Sequence, residues 1–291
     1  MRSQEYPGSE ITIDETLEAG SNYNRFIAHY FSEGLIIYAL LTIPTGEAPT
    51  TGWPVIVFNH GFIQPDEYKP TERYEKYVDA MASQGYIVFR PDYRGHGNSD
   101  GVASGGYSSP AYTIDVLNAV ASISYFPLAD ANRIGMWGHS MGGQITLRAM
   151  VTTCCLIRAG VIWAGVVAPY NYIITQWQVT PTPPGFVPVA TNWREGFVVE
   201  HGDQQTNPTF WAEISPNSYL GNISGPLQLH HGTGDYNVPV EMSRLLYSEM
   251  LDAGRTVFYY EYTNDDHNIA NNYDLAMQRT LEFFDQYVKN P

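Results

Sequence analysis

The chain has 291 residues, enough for one large domain with a substantial core. Apolar residues make up 44%, which argues against a disordered or fibrous chain, and at this size no disulfide or metal staple is needed. Acidic residues outnumber basic ones 30 to 15, and the resulting charge of −15 repels phosphate backbones, so nucleic acid is not expected as a partner.

In chain order, residues 1–10 contain no apolar run, so no signal peptide is expected in this chain. A leader removed earlier would leave no trace, and the compartment stays open. Phe26–Phe31 and Ile36–Ile43 read as an antiparallel strand pair, and Trp53–Phe58 as a buried strand ending at Asn59-His60-Gly61. Thr71–Gln84 has helical spacing, with Gly85 as its stop. Tyr86–Phe89 is the next strand, and Ser109-Pro110 opens a helix running to about Tyr125. Arg133–Trp137 leads into the turn Gly138–Gly143 and another helix. Cys154 and Cys155 read as two thiols near that helix's end, because a vicinal disulfide would be strained. Gly160–Ala168, Pro226–His230 and Thr256–Tyr260 supply strands, and Val240–Ala253 and Ile269–Lys289 supply helices. No apolar stretch is long enough to span a bilayer.

Alternating strands and helices imply one α/β domain over residues 1–291, a mainly parallel sheet covered on both faces, with ligands outside the strands' carboxyl ends. Residues 169–222 interrupt the pattern with seven prolines and nine aromatics. So long an aromatic excursion reads as a lid inserted over the strand ends. Tyr170, Trp177 and Trp193, with Phe186 and other aromatics of the segment, are expected to line an apolar substrate pocket there.

Gly138-His139-Ser140-Met141-Gly142-Gly143 fits G-x-S-x-G between a strand and a helix. Glycines on either side let the chain turn sharply enough for Ser140 to project its oxygen above the sheet. A serine needs a base, and in this type of sheet the order is Ser, then Asp or Glu, then His. Of eight histidines only His267 has that order and a loop position between the last strand and the last helix. Asp235 sits after a strand and before a helix, and is the expected acid. Asp265 and Asp266 are read as shaping the histidine's loop. The oxyanion donors are expected to be the N–H groups of Met141 and Phe62, the latter from the His60-Gly61-Phe62 loop. Asp92–Ser99 holds a histidine, an acid and a serine, yet no elbow surrounds Ser99, and it reads as a structural loop. Metal-ligand spacing and dinucleotide fingerprints are absent from the sequence, so no cofactor or metal is expected.

The turn Gly138–Gly143, His60-Gly61-Phe62, Gly232-x-x-Asp235 and Asp266-His267 together resemble the α/β-hydrolase superfamily. Ser32–Pro44, Asp92–Gly97 and His231–Pro239 are similar to segments of prolyl-oligopeptidase-like and acylaminoacyl-peptidase-like catalytic domains. The likeness runs from about residue 30 to the C-terminus, excluding the insertion. Two features set the chain apart: no β-propeller is expected ahead of the domain, and the elbow's His139/Met141 pair is also frequent in esterases of this superfamily. The expected activity is therefore hydrolysis of carboxylic esters through an acyl-enzyme, the alternative being an exopeptidase or acyl-aminoacyl peptidase using the same residues. A catalytically dead binding module is the third reading, which the intact Ser–Asp–His set disfavours. The expected partner is a small ester or short peptide; oligomeric state is left open.

Overall fold

A computed structural model describes residues 1–153, 155–177 and 192–291. Cys154 and Phe186 lie outside the described residues. Among the described residues the strands are β1 (Thr12–Leu17), β2 (Tyr23–Ser32), β3 (Leu35–Pro44), β4 (Trp53–Asn59), β5 (Ile87–Pro91), β6 (Ala129–His139), β7 (Ala159–Trp163), β8 (Leu227–Gly232) and β9 (Val257–Tyr262). They form one sheet in the order β1-β2-β3-β5-β4-β6-β7-β8-β9. The first three strands pair antiparallel, as does β3 with β5, and every pair from β5 to β9 is parallel. This is the α/β-hydrolase fold expected from the sequence.

Strand chemistry follows position. β4 and β5, buried on both faces, are near-continuous apolar runs. The β2–β3 hairpin closes through Glu33 (φ 51°) and Gly34 (φ 81°), two consecutive left-handed residues that match the strands' twist. Helices α2 (Ala111–Ser124), α3 (Met141–Thr152) and α7 (Glu241–Asp252) cover one face, and α1 (Glu75–Ala82) and α8 (Tyr273–Phe284) cover the other. α2 is buried nearly all round because the N-terminal segment crosses it: Asn118 Oδ1 accepts Gly8 N–H (3.2 Å) and Ser122 Oγ accepts Ser9 N–H (2.9 Å). Between β7 and β8 the chain forms α4 (Tyr170–Thr175), α5 (Asn192–His201), α6 (Pro208–Ile214) and 3-10 turns across Pro216–Asn222. No helix among the described residues is long and apolar enough to cross a membrane.

Three local expectations need correction. Edge strand β1 escaped notice because its residues are mostly exposed and carry no buried alternation. Helix α1 starts at Glu75 rather than Thr71, since Arg73 (φ 53°) and Tyr74 (φ 54°) are left-handed. β7 ends at Trp163, where Ala164 (φ 46°) breaks the run that seemed to reach Ala168. The sheet's order reverses about β4, which lies between β5 and β6. That switch point sets the loop after β4 beside the turn after β6, where α/β sheets hold their ligands.

Candidate active site

Ser140 sits between β6 and α3 at φ 56°, ψ −118°, a conformation L-residues rarely adopt. Its backbone is held on both sides. Ser140 N–H donates to Trp163 O (3.0 Å), and its carbonyl accepts Val166 N–H (3.1 Å) and Gly143 N–H (3.0 Å). The flanking glycines are required by close approach. A Cβ on Gly138 would lie 2.2 Å from Gly142 O, and one on Gly142 would lie 2.0 Å from Asn59 O. The turn is thus pressed against the end of β4, and Gly61 closes over it: a Cβ there would lie 3.2 Å from Ser140 Cβ.

Asp235, whose side chain is fully buried, follows β8. Its Oδ1 accepts the N–H groups of Asn237 (2.8 Å) and Val238 (3.0 Å). Its Oδ2 accepts His267 Nδ1–H (2.7 Å) and lies 3.2 Å from His231 Nε2. Burial alone would push the carboxyl's pKa up; hydrogen bonds from His231 and His267 more than reverse this and hold it well below the usual carboxylate range. His231 is a residue that sequence reasoning missed. Its Nε2–H must donate, because it also faces Val238 O (2.9 Å), and its Nδ1 then accepts the Ser243 hydroxyl (2.7 Å).

The loop carrying His267 is organised by its two acids. Asp265, buried, accepts the N–H groups of Asp266, Asn271 and Asn272 and both Asn271 and Asn272 side-chain amides. Although burial raises its pKa, those hydrogen bonds, Asn272's first, bring it below the ordinary value. Asp266 Oδ1 caps Asn268 and Ala270 N–H. Gly234 N–H donates to Asp265 O (2.9 Å), which ties the histidine loop to the acid loop.

The loop after β4 is similarly braced. His60 is stacked between Tyr93 and Tyr68 (centroids 4.2 and 4.8 Å), and its Nδ1–H donates to Gly61 O (2.7 Å). Burial lowers its pKa well below that of a free histidine, so the ring is neutral. Gly61 O and Phe62 N–H belong to one peptide plane, so this bond fixes the direction of the Phe62 N–H. The Phe62 side chain is exposed, and Met141 is buried. The Asp92–Ser99 segment stays structural: Ser99 Oγ accepts Tyr38 N–H (2.9 Å), Asp92 accepts the Tyr68 hydroxyl (2.7 Å), and burial raises Asp92 to about 7.

Of the aromatics expected in the pocket, Tyr170 is fully buried and its hydroxyl is committed: it donates to Tyr107 O and accepts from Arg148 and from Gln144 (3.3 Å). Trp177 Nε1–H donates to Asn237 O (2.9 Å), two residues from Asp235, and its ring meets Tyr107 edge-on (5.4 Å). Trp193 stacks on Tyr107 (5.8 Å). Arg194, unforeseen from sequence, lies over Trp177 and Trp193 (4.9 and 5.7 Å) and donates to Trp177 O (2.7 Å), with burial lowering its pKa. Gly106, beside Tyr107, packs toward Met141 Sδ. The cluster thus runs from the elbow to the acid loop.

The profile of the prolyl oligopeptidase family matches residues 73–291. The chain belongs to the prolyl oligopeptidase family. Its α/β-hydrolase domain is the one that family shares. It is 26% identical over 258 residues to a protein of Bacillus subtilis (strain 168) named as an uncharacterized peptidase, YuxL, covering 84% of this chain and 35% of that one. It superposes on the Pyrococcus horikoshii acylaminoacyl peptidase with a TM-score of 0.75 at 25% identity, over 93% of this chain and 43% of that chain. An acetyl xylan esterase from Paenibacillus sp. R4 shares the fold, with a TM-score of 0.73 at 15% identity over 98% of this chain and 90% of that chain. The chain therefore spans less than half the length of these two peptidase relatives.

Proposed function

We propose that this hydrolase cleaves the peptide bond of short, N-blocked aminoacyl substrates through an acyl-enzyme on Ser140. The observation that carries the reading is the short Asp235–His267 hydrogen bond beside a strained serine elbow. Ser140 Oγ attacks the carbonyl while His267 Nε2 takes its proton, and His267 then returns that proton to the leaving amine. Asp235 holds Nδ1–H and stabilises the imidazolium. The N–H groups of Met141 and Phe62 receive the developing oxyanion, and water, deprotonated by the same histidine, releases the acid. The described parts of the insertion, residues 169–177 and 192–222, act as the lid, with Trp177 and Trp193 as its acyl wall.

Two features favour a blocked peptide. The peptidase names of the relatives support amide cleavage, and the Arg194 cation in the aromatic wall repels a free ammonium. Carboxylic ester hydrolysis is the second reading, supported by the apolar character of that wall and by the esterase fold neighbour. The test is a matched set built on one amino acid: an N-acetyl-aminoacyl anilide, its free-amine form and the N-acetyl-aminoacyl ester. Turnover of the acetylated anilide above that of the free amine is expected. Ester turnover without detectable anilide cleavage moves the assignment to the ester reading.

A further inference from the structure

Tyr74 immediately precedes α1, at the far end of the connection from β4 that begins with His60-Gly61-Phe62. It bridges the start of that connection and the serine elbow. Its hydroxyl lies 3.0 Å from Gly61 N and 2.7 Å from His139 Nδ1, while His139 Nε2 lies 2.8 Å from His267 O. The directions of these bonds follow from chemistry. A carbonyl only accepts, so His139 carries its proton on Nε2 and donates to His267 O. Its Nδ1 then accepts from the Tyr74 O–H, whose oxygen accepts Gly61 N–H. Burial, and the neighbouring His267, lower His139 to about 3, so it stays in the neutral form this direction requires. The His139 and His267 rings also pack at 4.5 Å.

We propose that Tyr74 and His139 are positioning residues, joining the Gly61–Phe62 oxyanion peptide to the backbone of His267 through one directional hydrogen-bond chain. The proposal rests on the acyl-enzyme reading above. Gly61 is then held at both of its polar groups, its N–H by Tyr74 and its carbonyl by His60, which leaves Phe62 N–H as the neighbouring donor turned toward the reacting carbonyl. The molecule maintains strain to keep Tyr74 in place. Arg73 and Tyr74 are consecutive left-handed non-glycine residues, and the buried Arg90 guanidinium grips the turn by donating to Glu72 O (3.2 Å) and Arg73 O (3.0 Å). Strain that persists under such bracing is a mark of functional placement. Phe58, Tyr77 and Trp137 pack around the Tyr74 ring at 5.6, 5.6 and 6.2 Å, so removing the hydroxyl alone leaves the packing intact.

The experiment compares wild type, Tyr74→Phe, His139→Phe and the double variant, with rates normalised to sites titrated by a fluorophosphonate. Normalisation removes any unfolded fraction, and labelling of Ser140 shows separately whether the acyl-enzyme reading stands. For Tyr74→Phe, kcat is expected to fall at least fivefold with KM within twofold, because the chain acts on groups that meet the transition state. The double variant is expected to lose less than the product of the two single losses, since both interrupt one chain. A kcat within fivefold of wild type in titrated Tyr74→Phe, a KM change beyond twofold, or fully multiplicative losses overturns the proposal.

Discussion

Replacing Asp235 by Asn keeps the side chain's shape and forces a choice between two orientations. Oδ1 of the carboxylate accepts two backbone N–H groups, and Oδ2 faces the donors on His267 and His231. If the amide NH2 turned toward Asn237 and Val238, two buried N–H donors would lose their acceptor, at roughly 1–3 kcal/mol each. The amide oxygen therefore stays with the backbone and the NH2 faces His267 Nδ1. Two donors cannot share a hydrogen bond, so the imidazole flips to the tautomer protonated on Nε2 and cannot take the Ser140 proton. Loss of the productive tautomer costs on the order of 10⁴ in kcat, about 5.5 kcal/mol of transition-state stabilisation. The assay is kcat and KM on titrated sites at pH 7.5, with a thermal melt as the folding control. A loss below about 10² in folded Asp235→Asn would refute the assignment of this carboxylate as the orienting acid.

Acidification should destabilise the fold. His139, lowered from 6.5 to about 3, and the buried His60 and His230, lowered with it, resist protonation in the fold. The unfolded chain therefore binds extra protons below about 6.5, and stability falls as pH falls. Asp92, raised to about 7, works the other way and offsets about one of the three. The depressed pKa of Asp235 removes further stability below the ordinary carboxylate range. Urea midpoints at pH 7.5 and 4.5 check this, and equal midpoints would contradict it. Gly142→Ala should cost more than about 3 kcal/mol or prevent folding, because its Cβ would meet Asn59 O at 2.0 Å, whereas Gly196→Ala in α5, with open space around it, should be neutral or stabilise by up to about 1 kcal/mol. Comparable melting temperatures for the two variants would show the elbow to be looser than described.

Legibility in the sequence followed how local the physics was. β4 and β5 were readable because doubly buried strands are near-continuous apolar runs, and the elbow because a Cβ on Gly138 or Gly142 would run into neighbouring backbone. The pairing of Asp235 with His267, 32 residues apart, could be anticipated only from strand order, and the 2.7 Å contact supplies the geometry. His231, Tyr74 and His139 were not legible as partners. Their contacts join residues whose proximity depends on the sheet order, and a histidine or tyrosine in a strand end or loop looks the same whether bonded or exposed. Asp265 illustrates the intermediate case. Its place beside His267 suggested a shaping role, but the five donors it collects from 266–272 became visible only in the folded loop.

The most direct measurement is the site of covalent capture, paired with removal of the nucleophile. Incubation with a fluorophosphonate followed by peptide mapping should place a single adduct on Ser140, and Ser140→Ala should abolish labelling, lower kcat by roughly four to six orders of magnitude and leave the melting temperature nearly unchanged. An adduct on Ser99 or another residue, or a folded Ser140→Ala that retains more than about a hundredth of wild-type kcat, would contradict acyl transfer through this serine.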